Sequence, residues 1–278
     1  MLNTEDVTYR LAALDMDGTL LNTAHEMTPY TREVIARATE KGRVIVLSTG
    51  RAFSELSYFL DDVKGLGYLI YENGASIYDV ANRRVLRRIE LSSEDAMAIF
   101  DTAARFDVCI QAFLGDQSLI ECVREEDLKK YHVFDFAPVF RAGSQYVANM
   151  REEYLSRGTA TDKINIFFHS EADRAEFVRL MEGRGLLMSV SIGIGLEISP
   201  AGATKALALE ALCDLLDVPV ALSMAVGDGG NDVEIMQAAG LGVAMGNAID
   251  EVKAAADVIT EDCDHDGAAR AIERYMKV

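Results

Sequence analysis

The sequence predicts an α/β protein: a doubly wound parallel sheet that carries a large inserted α/β segment. Short aliphatic strands alternate with longer helical stretches near both ends of the chain, which is typical of a parallel sheet covered on both faces. The middle of the chain, from about residue 84 to 195, has more aromatic residues and no glycine-rich strand ends. With 278 residues and 50% hydrophobic composition, the chain can bury one long or two ordinary domain cores.

The N-terminal elements follow from apolar runs and capping residues. Three apolar runs are predicted to be strands: 11–14, 44–47 and 68–70. A helix is predicted over 28–41, because Thr28 can cap it, Pro29 suits its first position and Gly42 follows its end. A second helix is predicted over about 52–60, after the turn at Thr49 and Gly50.

The same alternation returns near the C-terminus. Residues 204–216 are predicted to be helical because apolar residues recur there at the i, i+3, i+4 and i+7 positions. Three strands and one helix are predicted after it: 222–226, 242–244, 258–259 and the helix 232–239. The middle segment contains predicted strands at 163–168 and 187–192. We therefore predict a core formed by 1–83 and 196–278, with 84–195 inserted as a second domain.

Charge and composition exclude several classes of function. The formal net charge of −18 disfavours binding to nucleic acid or to an anionic membrane surface. No apolar run approaches the roughly 18 residues that a membrane helix needs, and the start of the chain is polar and acidic, unlike a signal peptide. We expect a cytoplasmic protein, with the oligomeric state open between a monomer and a weak dimer. Its four cysteines form no C-x-x-C pair, so we expect buried thiols rather than disulfides or zinc ligands.

Polar residues cluster where four of the predicted strands end. The four segments are Asp15-Met16-Asp17-Gly18-Thr19, Ser48-Thr49-Gly50-Arg51, Glu72-Asn73-Gly74 and Gly227-Asp228-Gly229-Gly230-Asn231-Asp232. Ligands of open parallel sheets bind at the carboxyl ends of the strands, beside the point where the strand order reverses. The sequence therefore predicts one site that contains carboxylates, hydroxyls, an amide and flexible glycines.

The predicted site has the parts that phosphoryl transfer requires. Crowded carboxylates repel one another unless a cation lies among them, and oxygen ligands without His or thiolate favour Mg²⁺. Thr49 supplies a hydroxyl beside a helix start, where an anion is favoured. Lys205 is unusual because a cation at a helix N-terminus opposes the helix dipole, and this makes it a candidate phosphate ligand. A nucleophilic carboxylate, a metal, a hydroxyl and an ammonium group together indicate phosphoryl transfer.

Four motifs resemble the signature motifs of the haloacid dehalogenase-like phosphatases. They are D-M-D-G-T-L-L, S-T-G-R, the lysine of A-T-K-A-L-A-L, and G-D-G-G-N-D-V-E-I-M. Three further segments are similar to the Cof-type branch, subfamily IIB: A-A-G-L-G-V-A-M-G-N-A, A-A-D-V-I-T and E-N-G-A. The resemblance implies a Rossmann-like core, and residues 84–195 fall where that branch carries its α/β cap, the domain that sets substrate specificity.

The resemblance also implies a role for each motif residue. Asp15 would attack phosphorus and form an aspartyl-phosphate, and Asp17 would act as the general acid and then as the general base. Mg²⁺ would be held by Asp15, the backbone carbonyl of Asp17 and Asp228, with Asp232 completing or supporting the shell. Thr49 and Lys205 would act in catalysis by holding the phosphoryl oxygens. The full predicted set for phosphate or substrate binding is Met16, Thr49, Gly50, Arg51, Asn73, Gly74, Lys205 and Asn231.

The sequence thus predicts a Mg²⁺-dependent phosphatase that hydrolyses small-molecule phosphate monoesters, such as sugar phosphates or related metabolites. A phosphomutase on the same core is an alternative, because retention of the phosphoryl group depends on how water is excluded. A phosphoacceptor signalling module is a second alternative, since such modules also combine an acidic pair, Mg²⁺, a hydroxyl and a lysine. That module has no need of a cap or of an acid/base two residues after the nucleophile.

Overall fold

The computed structural model describes residues 6–60, 63–115, 117–122, 125–158 and 160–278. The chain divides into two compact units. The first unit comprises Met1–Arg51, Leu56–Arg88 and Ala203–Val278. The second unit comprises Ala52–Glu55 and Ile89–Gly202.

Strands and helices alternate along most of the described chain. The strands are β1 Leu11–Leu14, β2 Val44–Ser48, β3 Leu66–Tyr71, β4 Ser76–Asp79, β5 Arg84–Arg88, β6 Val108–Leu114, β7 Gln117–Glu121, β8 Ser144–Val147, β9 Thr161–Phe168, β10 Leu187–Ser191, β11 Gly195–Ser199, β12 Ser223–Gly227, β13 Leu241–Ala244 and β14 Val258–Ile259. The α-helices are α1 Pro29–Glu40, α2 Ser57–Leu60, α3 Ser93–Ala103, α4 Ala137–Gly143, α5 Met150–Arg157, α6 Glu171–Met181, α7 Lys205–Leu215, α8 Val233–Ala238, α9 Asp250–Ala255 and α10 Gly267–Met276.

The first unit contains an eight-stranded sheet in the order β14-β13-β12-β1-β2-β3-β4-β5. The strands from β14 to β3 are parallel, and β4 and β5 are added antiparallel. Strand order advances in one direction from β1 to β3 and in the other from β12 to β14, so the sheet is doubly wound, as predicted. Every residue of β1 is buried, as expected for a central strand with apolar side chains on both faces.

Strand register places the polar strand ends at one edge of this sheet. Leu14 is paired with Leu47 of β2 on one side and with Val226 of β12 on the other. Because these strands are parallel, the residues that follow each of them leave the sheet at the same edge. Asp15 continues the pairing by one residue, since its backbone N–H donates to the carbonyl of Val226 at 2.9 Å.

Two helices of the first unit begin at threonine caps, and the cap at Thr28 is the predicted one. The hydroxyl of Thr28 accepts the N–H of Thr31 and caps α1, which has Pro29 at its first position. The hydroxyl of Thr204 accepts the N–H of Leu207 and caps α7, so that Lys205 is the first helical residue. Each cap satisfies a backbone donor that the helix itself cannot pair.

The prediction of a single helix over about 52–60 is wrong. Residues Phe53–Glu55 form a 3₁₀ turn, and only the four residues of α2 are α-helical. The N–H of Glu55 donates to the carbonyl of Ala52 at 3.0 Å, and the Glu55 carboxylate accepts the N–H of Ala52 at 2.8 Å. These two bonds close a local i, i+3 turn in place of the α-helical ladder.

Two segments near the predicted domain boundaries pair differently from the prediction. Residues 84–88 were assigned to the inserted segment, but β5 pairs with β4 and belongs to the first sheet. Residues 196–202 were assigned to the core, but β11 pairs with β9 and β10 and belongs to the second unit. In both cases hydrogen bonding to a neighbouring strand decides the assignment, and composition does not encode that pairing.

The second unit contains a six-stranded sheet in the order β10-β11-β9-β6-β7-β8. One face packs against α3, α5 and α6 around a cluster of buried aliphatic and aromatic residues. Phe168 and Phe177 belong to this cluster, with ring centroids 5.5 Å apart. The predicted strands at 163–168 and 187–192 are present as β9 and β10.

The cysteines and the helices relate to two expectations from the sequence. All four cysteines are buried thiols that form no disulfide. Among the described residues, no helix has both the length and the apolar character that a membrane crossing requires.

Replacement of Gly240 by Ala tests the close approach between the turn that joins α8 to β13 and the backbone of Ala221, just before β12. A Cβ at Gly240 would fall well inside van der Waals contact with the backbone carbonyl of Ala221, and backbone cannot move aside cheaply. We expect Gly240→Ala to lower the free energy of unfolding by about 2–3 kcal/mol, because overpacking costs this much in rigid surroundings. Urea unfolding followed by far-UV circular dichroism suits this chain, which has no Trp.

Gly230→Ala is the matched control, because a Cβ there would meet open space. Its expected change is within about 1 kcal/mol. Equal losses in the two variants would contradict the packing explanation.

Candidate active site

The loops that follow β1, β2 and β12 meet at the carboxyl edge of the first sheet. Asp15 begins the first loop, Thr49 the second and Asp228 the third. Strand order reverses between β1 and β12, and ligands of doubly wound sheets bind at such a reversal. The structure therefore brings most of the predicted residues to the position that the topology favours.

Three carboxylates form a compact cluster at this edge. Asp15, Asp228 and Asp232 each offer one oxygen, and these oxygens lie within 4.8 Å of one another. Asp15 and Asp232 are buried, and Asp228 is partly exposed. Three carboxylates this close repel one another strongly unless a cation lies among them.

The ammonium group of Lys205 supplies one positive charge to the cluster. Its Nζ donates to Oδ1 of Asp15 and to Oδ1 of Asp232, each at 2.6 Å. The Lys205 side chain is 1% exposed. A lysine buried to this extent is stable only when it is paired, and here two carboxylates pair with it.

Burial and neighbouring charges shift the pKa values of this group. Burial raises the pKa of Asp15 to about 7, with the Asp232 carboxylate adding to the rise and the Lys205 ammonium opposing it. Burial alone would lower the pKa of Lys205, but the carboxylates of Asp15 and Asp232 outweigh it and raise that pKa above its ordinary value. Lys205 therefore stays charged, while Asp15 retains its proton more readily than an exposed carboxylate does.

Asp228 is held by Thr19 and approached closely by Gly18. The hydroxyl of Thr19 donates to Oδ1 of Asp228 at 3.1 Å. Burial raises the pKa of Asp228, although the bond from Thr19 favours its charged form. Gly18 has φ of +75°, and a Cβ there would collide with the Asp228 carboxylate. Glycine is thus required at this turn both for its backbone conformation and for space.

Asp232 mainly organises the loop that carries Asp228. One of its oxygens accepts the hydrogen bond from Lys205, and the other accepts the backbone N–H groups of Asp228 and Gly229, both at 3.1 Å. This arrangement suits a supporting position beside a metal, which is one of the two roles the sequence predicts.

Asp17 lies in an environment different from that of Asp15. Both of its oxygens accept hydrogen bonds from Arg51: Nε donates to Oδ2 at 2.8 Å and Nη2 to Oδ1 at 2.6 Å. Nδ1 of His25 lies 3.8 Å from Oδ1, and the Asp17 side chain is 43% exposed. Arg51 is predicted from the sequence to bind substrate or phosphate, but the structure pairs it with Asp17, so any contact with substrate would compete with this pair.

The loop after β2 is fixed by backbone bonds and by the next loop. The N–H of Thr49 donates to Ile70, and its carbonyl accepts the N–H of Asn73. The Thr49 hydroxyl accepts the N–H of Arg51 at 3.2 Å. Oδ1 of Asn73 accepts Nδ2 of Asn231 at 3.1 Å, which ties this region to the loop after β12. The predicted residues Thr49, Asn73 and Asn231 therefore lie together.

Gly50 and Gly74 act through close packing. A Cβ at Gly50 would lie 2.9 Å from Oδ1 of Asn73. Gly74 has φ of +101°, and a Cβ there would collide with the backbone carbonyl of Thr204. Gly74 therefore allows the loop after β3 to reach the start of α7, where Lys205 begins the helix.

Met16 could contribute to a site only through its backbone. Its side chain is 1% exposed and belongs to the core, and its carbonyl accepts the N–H groups of Leu20 and Leu21. Two residues outside the predicted set also contact the cluster: Thr19 and Asn247, whose Nδ2 lies 3.3 Å from Oδ2 of Asp228. Both lie within the family-like motifs, Thr19 in D-M-D-G-T and Asn247 in M-G-N-A, and membership of these motifs could have indicated them.

The donor set fits a hard divalent cation. Carboxylate oxygens converge within 4.8 Å, and each is anchored by hydrogen bonds from the protein. With one ammonium against three carboxylates, the cluster retains negative charge for a cation to neutralise. Oxygen-only ligation of this kind suits Mg²⁺.

Comparisons with known proteins agree with this geometry. A family model for haloacid dehalogenase-like hydrolases matches residues 12–272. The chain is 30% identical to YcsE of Bacillus subtilis, a 5-amino-6-(5-phospho-D-ribitylamino)uracil phosphatase, over 98% of each protein. It is 28% identical to an HMP-PP phosphatase of Serratia proteamaculans, over 97% of this chain and 96% of that protein.

A solved structure of similar fold also matches most of the chain. The haloacid dehalogenase-like hydrolase from Bacteroides thetaiotaomicron superposes with a TM-score of 0.83 and 28% identity, covering 96% of this chain and 99% of that one. The family match extends over both parts of the core and the segment between them. The chain therefore belongs to the haloacid dehalogenase-like hydrolase family, as an enzyme of the phosphoric monoester hydrolase class.

Proposed function

We propose that the protein hydrolyses small-molecule phosphate monoesters with Mg²⁺, through an aspartyl-phosphate formed on Asp15. The observation that carries this proposal is the close group of Asp15, Asp228, Asp232 and Lys205 at the switch point of the sheet. It combines a nucleophile, a metal-binding set and a fixed cation in one place. Phosphoryl transfer depends on such positioning and charge neutralisation.

Asp15 is the proposed nucleophile. Its carboxylate attacks phosphorus, the bond from phosphorus to the leaving oxygen breaks, and that oxygen takes a proton from Asp17. Water then gives a proton to Asp17 and attacks the phosphoryl group, which releases inorganic phosphate and restores the Asp15 carboxylate. Mg²⁺, when bound by Asp15, the carbonyl of Asp17 and Asp228, neutralises charge on the phosphoryl oxygens.

Lys205 and Thr49 are the proposed phosphoryl ligands. The ammonium group of Lys205 has three hydrogens, and two point to Asp15 and Asp232, so the third can be directed to a phosphoryl oxygen. The Thr49 hydroxyl accepts a bond from Arg51 N–H and can direct its own hydrogen to a second oxygen. Arg51 donates to both oxygens of Asp17, so Arg51 competes with the leaving oxygen for the Asp17 carboxyl when substrate binds.

The second unit, Ile89–Gly202 with Ala52–Glu55, is the proposed cap that selects the substrate. One face of its sheet carries a band of polar side chains that bond one another. The amide of Gln111 donates to Ser118 and accepts Nδ2 of Asn165, and the Ser118 and Ser144 hydroxyls lie 2.7 Å apart. Hydroxyl and amide groups of this kind suit recognition of polar, hydroxylated molecules.

Sugar phosphates and related metabolites are the proposed substrate class. Two relatives with nearly full coverage are named as phosphatases of a phosphoribitylamino-uracil and of HMP-PP. These names favour turnover of a small molecule over the phosphoacceptor module and the phosphomutase considered from the sequence. Rates measured as kcat/KM on a panel of phosphate esters would identify the preferred members of the class.

Asp15→Asn tests the nucleophile. An amide cannot form the aspartyl-phosphate, so we expect phosphate release from p-nitrophenyl phosphate with Mg²⁺ to fall by at least about a thousandfold. Wild-type protein is expected to release many equivalents of phosphate per chain, which a phosphoacceptor module would not do.

Asp264→Asn is the matched control for this experiment. Asp264 also lies in the first unit, where it accepts bonds from the N–H and hydroxyl of Thr23, and it is not one of the three carboxylates of the cluster. We expect its activity to stay within about twofold of wild type. Turnover by Asp15→Asn within tenfold of wild type would overturn the assignment of Asp15.

The affinity for Mg²⁺ is expected to decrease as the pH is lowered from 8 to 6. Burial raises the pKa of Asp15 to about 7, so Asp15 is mostly ionised at pH 8 and mostly protonated at pH 6. Because the metal requires the ionised carboxylate, the dissociation constant should rise about tenfold from pH 8 to pH 6. Titration calorimetry of the metal-free protein measures this change.

Asp15→Asn is the control for the pH experiment, since it removes the titrating group. Its weaker Mg²⁺ binding should vary less with pH than that of wild type. Equal affinity of the wild-type protein at both pH values would contradict the linkage.

A further inference from the structure

The segment that follows β13 is fastened to the loop that carries Asp228. The N–H of Met245 donates to the carbonyl of Gly227 at 3.0 Å, and the N–H of Ile249 donates to the carbonyl of Asp228 at 3.2 Å. On the other side, the N–H of Gly246 donates to the carbonyl of Glu261 at 3.0 Å. Asn247 therefore projects from backbone that is held at both ends.

The side chain of Asn247 bonds three separate parts of the first unit. Its Nδ2 donates to the carbonyl of Gly18 at 2.8 Å and lies 3.3 Å from Oδ2 of Asp228. Its Oδ1 accepts the N–H of Cys263 at 2.9 Å. The bond to Cys263 fixes which end of the amide carries the donors, so the donors face the two groups of the candidate site.

These contacts hold the Asp228 carboxylate from both sides. Thr19 donates to Oδ1 and Asn247 donates to Oδ2, so the plane of the carboxylate is set by two partners from different loops. The same Asn247 amide holds the turn at Gly18, which directly follows Asp17. One side chain thus sets the distance between the loop after β1 and the loop after β12.

We propose that Asn247 is a positioning residue for the Mg²⁺ site, which it serves by orienting Asp228 and the Gly18 turn without ligating the metal. This inference rests on the proposed function, since it assigns Asp228 as a ligand. Partners that orient metal ligands typically account for a 10–100-fold difference in metal affinity. The amide is exposed and bonds only one ligand directly, so the lower end of this range applies.

Asn247→Ala tests the proposal by Mg²⁺ binding without substrate. Titration calorimetry of the metal-free protein should show a dissociation constant raised about tenfold. The Mg²⁺ concentration that gives half-maximal phosphatase activity should rise to the same extent, while kcat at saturating Mg²⁺ stays within about twofold. A role limited to loop stability would change the urea midpoint in EDTA and leave the Mg²⁺ affinity of the folded protein unchanged.

Asn82→Ala is the matched control. Asn82 donates Nδ2 to Oδ2 of Asp79 at 2.7 Å in the same unit, at the turn between β4 and β5. It should bind Mg²⁺ like wild type. Asn247→Ser, which retains a short donor, is expected to weaken Mg²⁺ binding severalfold and provides the measurement if the alanine variant does not fold.

Two negative results have different meanings. If wild type binds Mg²⁺ and hydrolyses phosphate esters but Asn247→Ala binds Mg²⁺ equally well, the positioning role is wrong and the proposed function stands. If wild type neither binds Mg²⁺ nor releases phosphate, the proposed function is wrong and the inference falls with it.

Discussion

The candidate site depends on one buried ammonium group. Lys205 places its Nζ 2.6 Å from an oxygen of Asp15 and 2.6 Å from an oxygen of Asp232. Buried carboxylates are tolerated only when they are paired, so each of these three groups requires the others. They come from the end of β1, the start of α7 and the loop after β12. Electrostatics as well as packing therefore fixes where these elements lie, and the excess negative charge makes the group complementary to a divalent cation.

Several residues around this group have positions or backbone conformations that are locally unfavourable, and the charged groups explain why they occur. A lysine at the first position of a helix opposes the helix dipole, but in α7 the two carboxylates offset that cost. Gly74 has a positive φ, which allows the loop after β3 to approach Thr204 at the cap of α7. The turn at Gly18 similarly leaves space for Asp228. Local sequence preferences are overridden here because the surrounding structure requires a particular geometry for the charged groups.

The sequence predicts the position of the site better than its side-chain pairs. Apolar runs mark β1, β2 and β12, and the rule for parallel sheets then brings Asp15 and Asp228 to one edge. The pairing of Arg51 with Asp17 depends on the distance between two loops, which no periodicity encodes, so the sequence suggests a phosphate ligand instead. For Asn247, motif letters alone do not reveal which loops its amide joins. The domain boundary near residue 84 is missed for a similar reason, because only the hydrogen bonds to β4 show that β5 belongs to the first sheet.

The order of the strands in the first sheet also has a consequence during protein synthesis. β2 follows β1 closely along the chain, but β12, the other neighbour of β1, is made only after the whole second unit. At about 5–20 residues per second, the roughly 200 residues between them take on the order of ten to forty seconds. Until then one edge of β1 has no strand to pair with, and Asp15 has no Lys205. The nascent chain therefore carries Asp15 long before the carboxylate cluster and its ammonium group can assemble.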